Sequence, residues 1–333
     1  MGRADGEQHK RKLLAGVDLG GTNFVCGLVD QDGTVLRTAK RPTEAERGSD
    51  HVLQSVADTI ELLLADEGAD NVVLTAVGVG LPGFLDPERG IVRMAGNLKW
   101  KDVPISDILS KRLAAPVFID NDVRSFTYGE AAAGAAAGYR HVLGIMLGTG
   151  LASGMVNDGR IYYGSGYMAG EFGHILMDGV PFACGCGMTG CLETVASATG
   201  LVRQVRAQLE AGRSSVLAEW AGGDPSAIQA ADVSKAYDLG DPVAREVMDF
   251  TGRTLGKALA YAVTLYGPDA IVIGGGASLA GERLFAPMRE ELQRTVHPLY
   301  WERLTIVPAQ RLDEAGVVGS AMIAQHRLEQ QTA

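Results

Sequence analysis

A strand–turn–strand unit occurs twice in this chain of 333 residues. Residues 12–40 have the pattern of an apolar strand ending in glycines, a second strand, an Asp-Gly hairpin turn and a third strand. Residues 141–163 repeat that order. Two unrelated hairpins are the alternative, because Asp-Gly turns are common, but a threonine-bearing glycine turn at the same place in both copies favours a duplicated unit. The sequence therefore predicts an α/β protein with two lobes, each of which begins with the same three-stranded unit.

The remaining pattern fits this organisation. Apolar runs predict strands over 72–80 and 116–122, and helical spacing predicts an amphipathic helix over 50–66. After residue 195 the sequence is mostly helical, with one expected strand at 270–276 and a last helix near the C-terminus. A length prior of roughly 150 residues per domain also favours two domains.

Charge and hydropathy restrict the partners. The net charge of −10 argues against broad nucleic-acid binding, because phosphate contacts need an excess of Lys and Arg. The first residues, MGRADGEQHKRK, have no apolar core of a secretory signal, and no apolar run approaches the ~20 residues that span a bilayer. We therefore expect a cytoplasmic protein that binds neither nucleic acid nor membrane.

Three predicted strands end in glycine turns. One such turn alone is best explained as an ordinary tight turn, but three together indicate a nucleotide site, because backbone N–H groups that glycine exposes can bind phosphate. An Asp at the first turn could hold Mg²⁺ through water. The residues are Asp18, Gly20, Gly21, Thr22 and Asn23 in DLGGTN, Gly148, Thr149 and Gly150 in LGTG, and Gly274, Gly275 and Gly276 in GGG.

Asn121 and Asp122 lie between a predicted strand and a predicted helix. N-capping of that helix is the simpler explanation for such a pair. The functional alternative is a carboxylate at the carboxyl end of a strand, where α/β folds gather their sites. Such an Asp could accept the proton of an attacking hydroxyl in phosphoryl transfer.

Three of the four cysteines lie within eight positions. Cys184, Cys186 and Cys191, together with His174 ten residues upstream, form a Cys₃His set of the structural zinc type. Free thiols or a disulfide are the alternatives, but thiols stay reduced in the cytosol, where clustered cysteines are typical metal ligands. A metal there would fix the carboxylates of Glu171 and Glu193, which could accept hydrogen bonds from adjacent hydroxyls of a polyol.

In chain order, the motifs DLGGTN, LPG, DND, LGTG, GEFGH, CGCGMTGCLE and IVIGGG resemble those of the bacterial ROK (repressor, open reading frame, kinase) sugar kinases. The resemblance extends from about residue 13 to 325. It implies the actin-like ATPase (ribonuclease H-like) fold, with two α/β lobes and an interlobe cleft. The expected lobes are 1–120, with a C-terminal helix 312–333 packing back on it, and 121–311, which carries the zinc loop 174–191.

The resemblance also implies roles for single residues. Asp122 matches the catalytic base that activates the sugar 6-hydroxyl, and His174 would serve both metal and sugar. ATP and Mg²⁺ would bind at Asp18 and the Gly20–Asn23 turn, with Gly148–Gly150 opposite and Gly274–Gly276 on the adenosine side. The expected hexose ligands are Gly83, Asn97, Asn121, Glu171, His174 and Glu193.

We therefore expect an ATP-dependent hexose 6-kinase, with glucose as the first candidate acceptor and a homodimer or tetramer as the assembly. N-acetylglucosamine, N-acetylmannosamine and allose stay open within the same class. A sugar-sensing ROK regulator is disfavoured, because only about a dozen residues precede the first strand, too few for three helices of the mean ~11–12 residues. An actin- or chaperone-like ATPase without a small-molecule acceptor would leave the cysteine loop and the paired Glu residues unexplained.

Overall fold

The computed structural model describes residues 10–68, 71–311 and 314–332. The expectation that the chain has no secretory signal concerns its first residues, of which 1–9 lie outside the described residues. Residues 312, 313 and 333 of the predicted C-terminal helix also lie outside them. The chain divides into two compact units. Of the described residues, the first unit comprises those up to Arg140, Gly154–Ala169 and those from Ala309 onward, and the second comprises His141–Ser153 and Gly170–Pro308. Residues 121–140, which the sequence grouped with the second lobe, are thus grouped with the first unit.

The described residues form thirteen strands and eleven α-helices. The strands are β1 (Arg11–Leu19), β2 (Asn23–Val29), β3 (Val35–Pro42), β4 (Val72–Leu81), β5 (Phe84–Asp86), β6 (Ile91–Ala95), β7 (Trp100–Val103), β8 (Val117–Asn121), β9 (His141–Leu147), β10 (Leu151–Asn157), β11 (Arg160–Ile161), β12 (Ala270–Gly274) and β13 (Thr305–Pro308). The helices are α1 (Ser49–Asp66), α2 (Ile105–Leu113), α3 (Asp122–Ala133), α4 (Glu193–Ala196), α5 (Ala198–Glu210), α6 (Val216–Trp220), α7 (Ala230–Asp238), α8 (Pro242–Tyr266), α9 (Glu282–Thr295), α10 (Pro298–Trp301) and α11 (Ala315–Thr332).

The main sheet of the first unit has the strand order β3-β2-β1-β4-β8. β1 pairs antiparallel with β2 and parallel with β4, which pairs parallel with β8. Successive residues of β1 face opposite sides of the sheet, so Leu13 and Val17 join a buried cluster that also includes α1 residues such as Ile60, whereas Leu14 joins a cluster with α11. Both faces of the sheet are therefore covered, as its apolar strands predict.

Helix α11 lies directly on the backbone of this sheet. A Cβ atom at Gly16 of β1 would lie 1.9 Å from the carbonyl oxygen of Val317, and one at Gly78 of β4 would lie 1.8 Å from that of Ser320. Only glycine permits such an approach. The glycines inside these strands are thus required by packing against the last helix.

A small sheet of order β5-β6-β7 also belongs to the first unit. The segment LPGFLDPERG (81–90) has the glycines and prolines of a loop, yet its residues Phe84–Asp86 pair antiparallel with β6. A three-residue strand is too short to show an alternating pattern, so the pairing follows from tertiary structure.

The second sheet has the strand order β11-β10-β9-β12-β13. A single strand in the late region was expected, and this was wrong, because β13 pairs parallel with β12 as a second one. Helices α5, α7, α8 and α9 of the second unit supply most of its core, which includes Leu201, Val233, Leu255 and Met288. Among the described residues, no helix combines the length and the apolar character needed to cross a bilayer.

Candidate active site

The turn after β1 is held by backbone and hydroxyl contacts. The amide of Gly20 donates to the carbonyl of Asn23 at 3.0 Å, and the Thr43 hydroxyl donates to the carbonyl of Gly20 at 2.7 Å. The amide of Thr43 donates to the carbonyl of Thr22 at 2.9 Å. The turn Gly20–Asn23 is therefore ordered by its own chain, which lowers the entropic cost of binding an anion there.

Asp18 precedes this turn, and its carboxylate is partly buried. Removal from water and the charge of Asp122 raise the pKa of Asp18 to about 6. A Cβ atom at Gly316, in the first turn of α11, would lie 2.7 Å from Oδ2 of Asp18. Two carboxylates that repel each other in a partly buried place suit a divalent cation, which would relieve the repulsion.

Gly83 and Asn97 lie in the same unit as this turn. Asn97 is exposed, and a Cβ atom at Gly21 would lie 3.1 Å from both Cβ and the carbonyl oxygen of Asn97. Gly83 has φ +118, and a Cβ there would lie 2.3 Å from the carbonyl oxygen of Met94. Asn97 is thus next to the Gly20–Asn23 turn, whereas Gly83 has a structural reason to be glycine.

Asn121 and Asp122 occupy the junction between β8 and α3. Oδ1 of Asn121 accepts from the amides of Val123 at 3.0 Å and Arg124 at 3.3 Å, so the N-cap considered from the sequence is formed. Asp122 is the first residue of the helix, and its Oδ1 accepts from the amide of Val123 at 2.9 Å. The junction therefore holds the Asp122 carboxylate at the carboxyl end of β8, the edge strand of the main sheet of the first unit.

In the second unit, Gly148–Gly150 form the turn between β9 and β10. The amide of Gly148 donates to the carbonyl of Gly150 at 3.0 Å, and the Thr199 hydroxyl donates to the carbonyl of Thr149 at 2.8 Å. A Cβ atom at Gly150 would lie 2.4 Å from Oε2 of Glu193. The glycine thus makes room for a carboxylate directly beside the turn.

Gly274–Gly276 follow β12 in the same unit. Gly275 has φ +87, and its position beside the backbone of Leu147 leaves no space for a Cβ. The Ser278 hydroxyl donates to the carbonyl of Gly275 at 2.7 Å. Two of the three predicted glycine turns therefore pack next to each other, because Leu147 immediately precedes Gly148.

His174, Cys184, Cys186 and Cys191 form one cluster. One ligand atom from each residue can be chosen so that all four lie within 4.8 Å of one another. Sγ of Cys186 and Cys191 are 3.6 Å apart, and Sγ of Cys184 is 3.7 Å from Nδ1 of His174. Tetrahedral zinc with Zn–S bonds of about 2.3 Å spaces its sulfur ligands by about 3.8 Å. The three cysteines of the cluster form no disulfide, and the Cys₃His donor set fits zinc.

The carboxylates next to the cluster differ in their contacts. Oε2 of Glu171 is 3.8 Å from Nε2 of His174, so the two ring nitrogens of this histidine face different groups. Glu193 begins α4; its Oε1 is 3.7 Å from Sγ of Cys184, and its Oε2 accepts from the amide of Leu151 at 2.9 Å. Glu171 is exposed, whereas Glu193 is partly buried and has defined partners.

A buried charge cluster near Asp122 was missed from the sequence. Asp120, two residues before Asp122, contacts Arg124, Tyr163 and Arg327. Asp120 was visible in the DND motif, but Tyr163 and Arg327 lie far along the chain, and no spacing rule links them to Asp120.

The two five-stranded sheets and the motifs at the ends of their strands define an α/β protein of the actin-like ATPase fold, as the resemblance implied. Residues 14–327 match the ROK family. The chain belongs to this family, which confirms the resemblance seen in the sequence.

Relatives of known activity or structure match almost end to end. A glucokinase of Thermotoga maritima is 37% identical over 320 residues, which cover 96% of this chain and 99% of that protein. The structure of a ROK family glucokinase from Streptomyces griseus in complex with glucose and AMPPNP has a TM-score of 0.78 at 32% identity, covering 94% of this chain and 99% of that one. A ROK hexokinase from Thermus thermophilus has a TM-score of 0.79 at 30% identity, with 96% and 99% covered.

Proposed function

We propose that this chain transfers the γ-phosphoryl group of ATP to the 6-hydroxyl of a hexose, with glucose as the acceptor. The observation that carries the proposal is the carboxylate of Asp122 at the strand–helix junction, in a chain that matches a glucokinase over 96% of its length. The regulator alternative is disfavoured because glucokinases match this chain at 34–37% identity, whereas transcriptional repressors match it at 26–29%.

The reaction follows from Asp122 acting as a general base. Its carboxylate accepts the proton of the 6-hydroxyl while the sugar oxygen bonds to the γ-phosphorus, and the bond from that phosphorus to the leaving oxygen of ADP breaks. The proposed hexose ligands are Gly83, Asn97, Asn121, Glu171, His174 and Glu193. Carboxylates suit this task because each can accept hydrogen bonds from adjacent hydroxyls.

The nucleotide is assigned to the glycine turns. Gly20–Asn23 and Gly148–Gly150 would donate backbone N–H groups to the phosphates, and Gly274–Gly276 would lie on the adenosine side. Asp18 would hold Mg²⁺ through water, and that ion neutralises charge on the β- and γ-phosphates when bound. The raised pKa of Asp18 supports a cation at this carboxylate.

We also propose structural zinc at His174, Cys184, Cys186 and Cys191, where the ion would tie the loop together and so fix Glu171 and Glu193. A homodimer or tetramer and a cytoplasmic location remain predictions from the sequence. N-acetylglucosamine, N-acetylmannosamine and allose remain the alternative acceptors of the same reaction.

The decisive experiment is a coupled assay of ADP release with Mg²⁺·ATP and a panel of glucose, N-acetylglucosamine, N-acetylmannosamine and allose. We expect glucose to give the highest kcat/KM. Turnover that none of these sugars stimulates would refute the kinase proposal, and a preference for an N-acetylated sugar or allose would replace glucose while keeping the reaction.

A further inference from the structure

The junction that carries Asp122 is surrounded by a buried charge cluster, which consists of Asp120, Arg124, Tyr163 and Arg327. All four residues belong to the first unit, and Asp120 is only 2% exposed. A carboxylate removed from water to this extent must be compensated by hydrogen bonds and opposite charge.

The carboxylate of Asp120 is fully engaged. Its Oδ1 accepts from Nε of Arg124 at 2.7 Å and from the amide of Asn121 at 2.8 Å. Its Oδ2 accepts from the hydroxyl of Tyr163 at 2.7 Å and from Nη2 of Arg327 at 3.0 Å. Two guanidinium groups and a phenol thus converge on one acid from α3, α11 and the segment that follows β11.

Further contacts hold these partners in place. Nη1 of Arg124 donates to the carbonyl of Tyr167 at 3.2 Å, and Nη2 of Arg327 donates to the hydroxyl of Tyr163 at 2.7 Å. The guanidinium carbons of Arg124 and Arg327 lie 5.3 Å and 5.6 Å from the centroid of the Tyr163 ring, so both cations contact the same aromatic ring. Burial and the charge of Asp120 raise the pKa of Tyr163, so its hydroxyl stays protonated and remains a donor.

The bond between Asp120 and Arg124 spans the proposed catalytic base. Asp120 lies two residues before Asp122, in β8, and Arg124 lies two residues after it, in the first turn of α3. This bond fastens the end of the strand to the start of the helix, with Asp122 between the two anchor points. The backbone of Asp122 is therefore restrained from both sides, in addition to the N-cap made by Asn121.

We infer that Asp120, Arg124, Tyr163 and Arg327 are positioning residues for the phosphoryl transfer, which set the place of the Asp122 carboxylate without touching substrate. The inference rests on the proposed function for the role of Asp122. A displacement of a reacting group by about 1 Å can cost about 10²-fold in rate, so loosening this junction should lower kcat.

The test compares Arg124→Gln with Arg311→Gln. Arg311 serves as the control because its Nε donates to the carbonyl of Ala133 at 2.8 Å, at the opposite end of the same helix. We expect Arg124→Gln to lower kcat by about 10- to 100-fold while both KM values change less than about threefold. We expect Arg311→Gln to lower the melting temperature with little change in kcat. Equal losses of kcat in the two variants would overturn the inference.

Amide hydrogen exchange supplies a readout that does not depend on activity. Arg124→Gln should accelerate exchange of the Val123 and Arg124 amides relative to both wild type and Arg311→Gln; unchanged exchange there would overturn the inference.

If Arg124→Gln does not fold, a second variant, Tyr163→Phe, removes only the phenol hydroxyl and should still lower kcat by about three- to tenfold. A wild-type kcat in Tyr163→Phe would count against the cluster. A wild-type chain that phosphorylates no hexose would refute the proposed function, and the exchange rates would still decide whether the cluster holds the junction.

Discussion

Glu193 accepts a hydrogen bond from the backbone amide of Leu151, with 2.9 Å between Oε2 and N. The other carboxylate oxygen of Glu193 is 3.7 Å from Sγ of Cys184. One side chain therefore contacts both the second glycine turn and the Cys₃His cluster. Because the turn is proposed to bind phosphate and the cluster is proposed to hold the sugar ligands in place, a change at Glu193 should affect both substrates.

Glu193→Ala is therefore predicted to raise the KM for glucose and the KM for ATP, each by about tenfold. The expected magnitude corresponds to the lower end of the range for the loss of a hydrogen bond to a charged group, about 1.5 kcal/mol. Initial-rate measurements with each substrate varied in turn test this. Glu219→Ala, on the exposed surface of the same unit, is the control. An effect confined to glucose would show that the contact with Leu151 is not functional.

Asp122→Asn is predicted to lower kcat by about 10²- to 10⁴-fold, because an amide cannot accept the proton of the sugar hydroxyl. The substituted side chain keeps an oxygen for the amide of Val123, so the fold and both KM values should change little. Asp107→Asn is the matched control, since Asp107 is an exposed acid in the first turn of α2. Steady-state kinetics and a melting curve suffice. Turnover by Asp122→Asn close to that of the wild type would exclude Asp122 as the base.

Metal analysis of the purified chain is predicted to find about one zinc per chain. Cys186→Ser should lose the metal and lower the melting temperature, because metal binding contributes folding free energy. Cys26→Ser is the control, since Cys26 lies in β2 at 0% exposure, outside the metal cluster, and should lose stability through packing alone. Retention of zinc by Cys186→Ser, or equal zinc loss in both variants, would contradict the assignment of the ligands.

The sequence predicted those parts of the molecule that depend on local pattern. Helix 50–66 is observed as Ser49–Asp66, and the strand at 72–80 is observed as Val72–Leu81, because both have clear periodicity or apolar runs. The cysteine cluster was also predictable, since its four ligands lie within 18 residues and their spacing suits a metal.

Features that depend on pairing at a distance could not be predicted. β13 has only four residues, and its place is decided by parallel pairing with β12 more than thirty residues earlier. Arg327 reaches Asp120 from the last helix, and no pattern in the sequence connects the two. Asn121 shows a further limit of prediction from sequence, because an asparagine suits both an N-cap and a residue that binds substrate. Only the structure shows that the N-cap is formed.

The raised pKa of Asp18 predicts a pH-dependent stability in buffer without Mg²⁺. Between the ordinary value of 3.8 and about 6, the folded chain keeps a proton that the unfolded chain has released, so folding stability should fall as pH rises through this window. Above pH 6 the penalty would reach about 2–3 kcal/mol, since each pKa unit corresponds to about 1.4 kcal/mol. Asp18→Asn has no such charge. It should therefore raise the melting temperature by several degrees at pH 7.5 and by less at pH 4.5, with loss of Mg²⁺·ATP-dependent turnover.

The control is Asp32→Asn, at an exposed residue of the hairpin turn after β2, which should change neither the melting temperature nor the turnover. A variant Asp18→Asn that melts at or below the wild-type temperature at pH 7.5 would show that the Asp18 carboxylate is not destabilised in the folded chain.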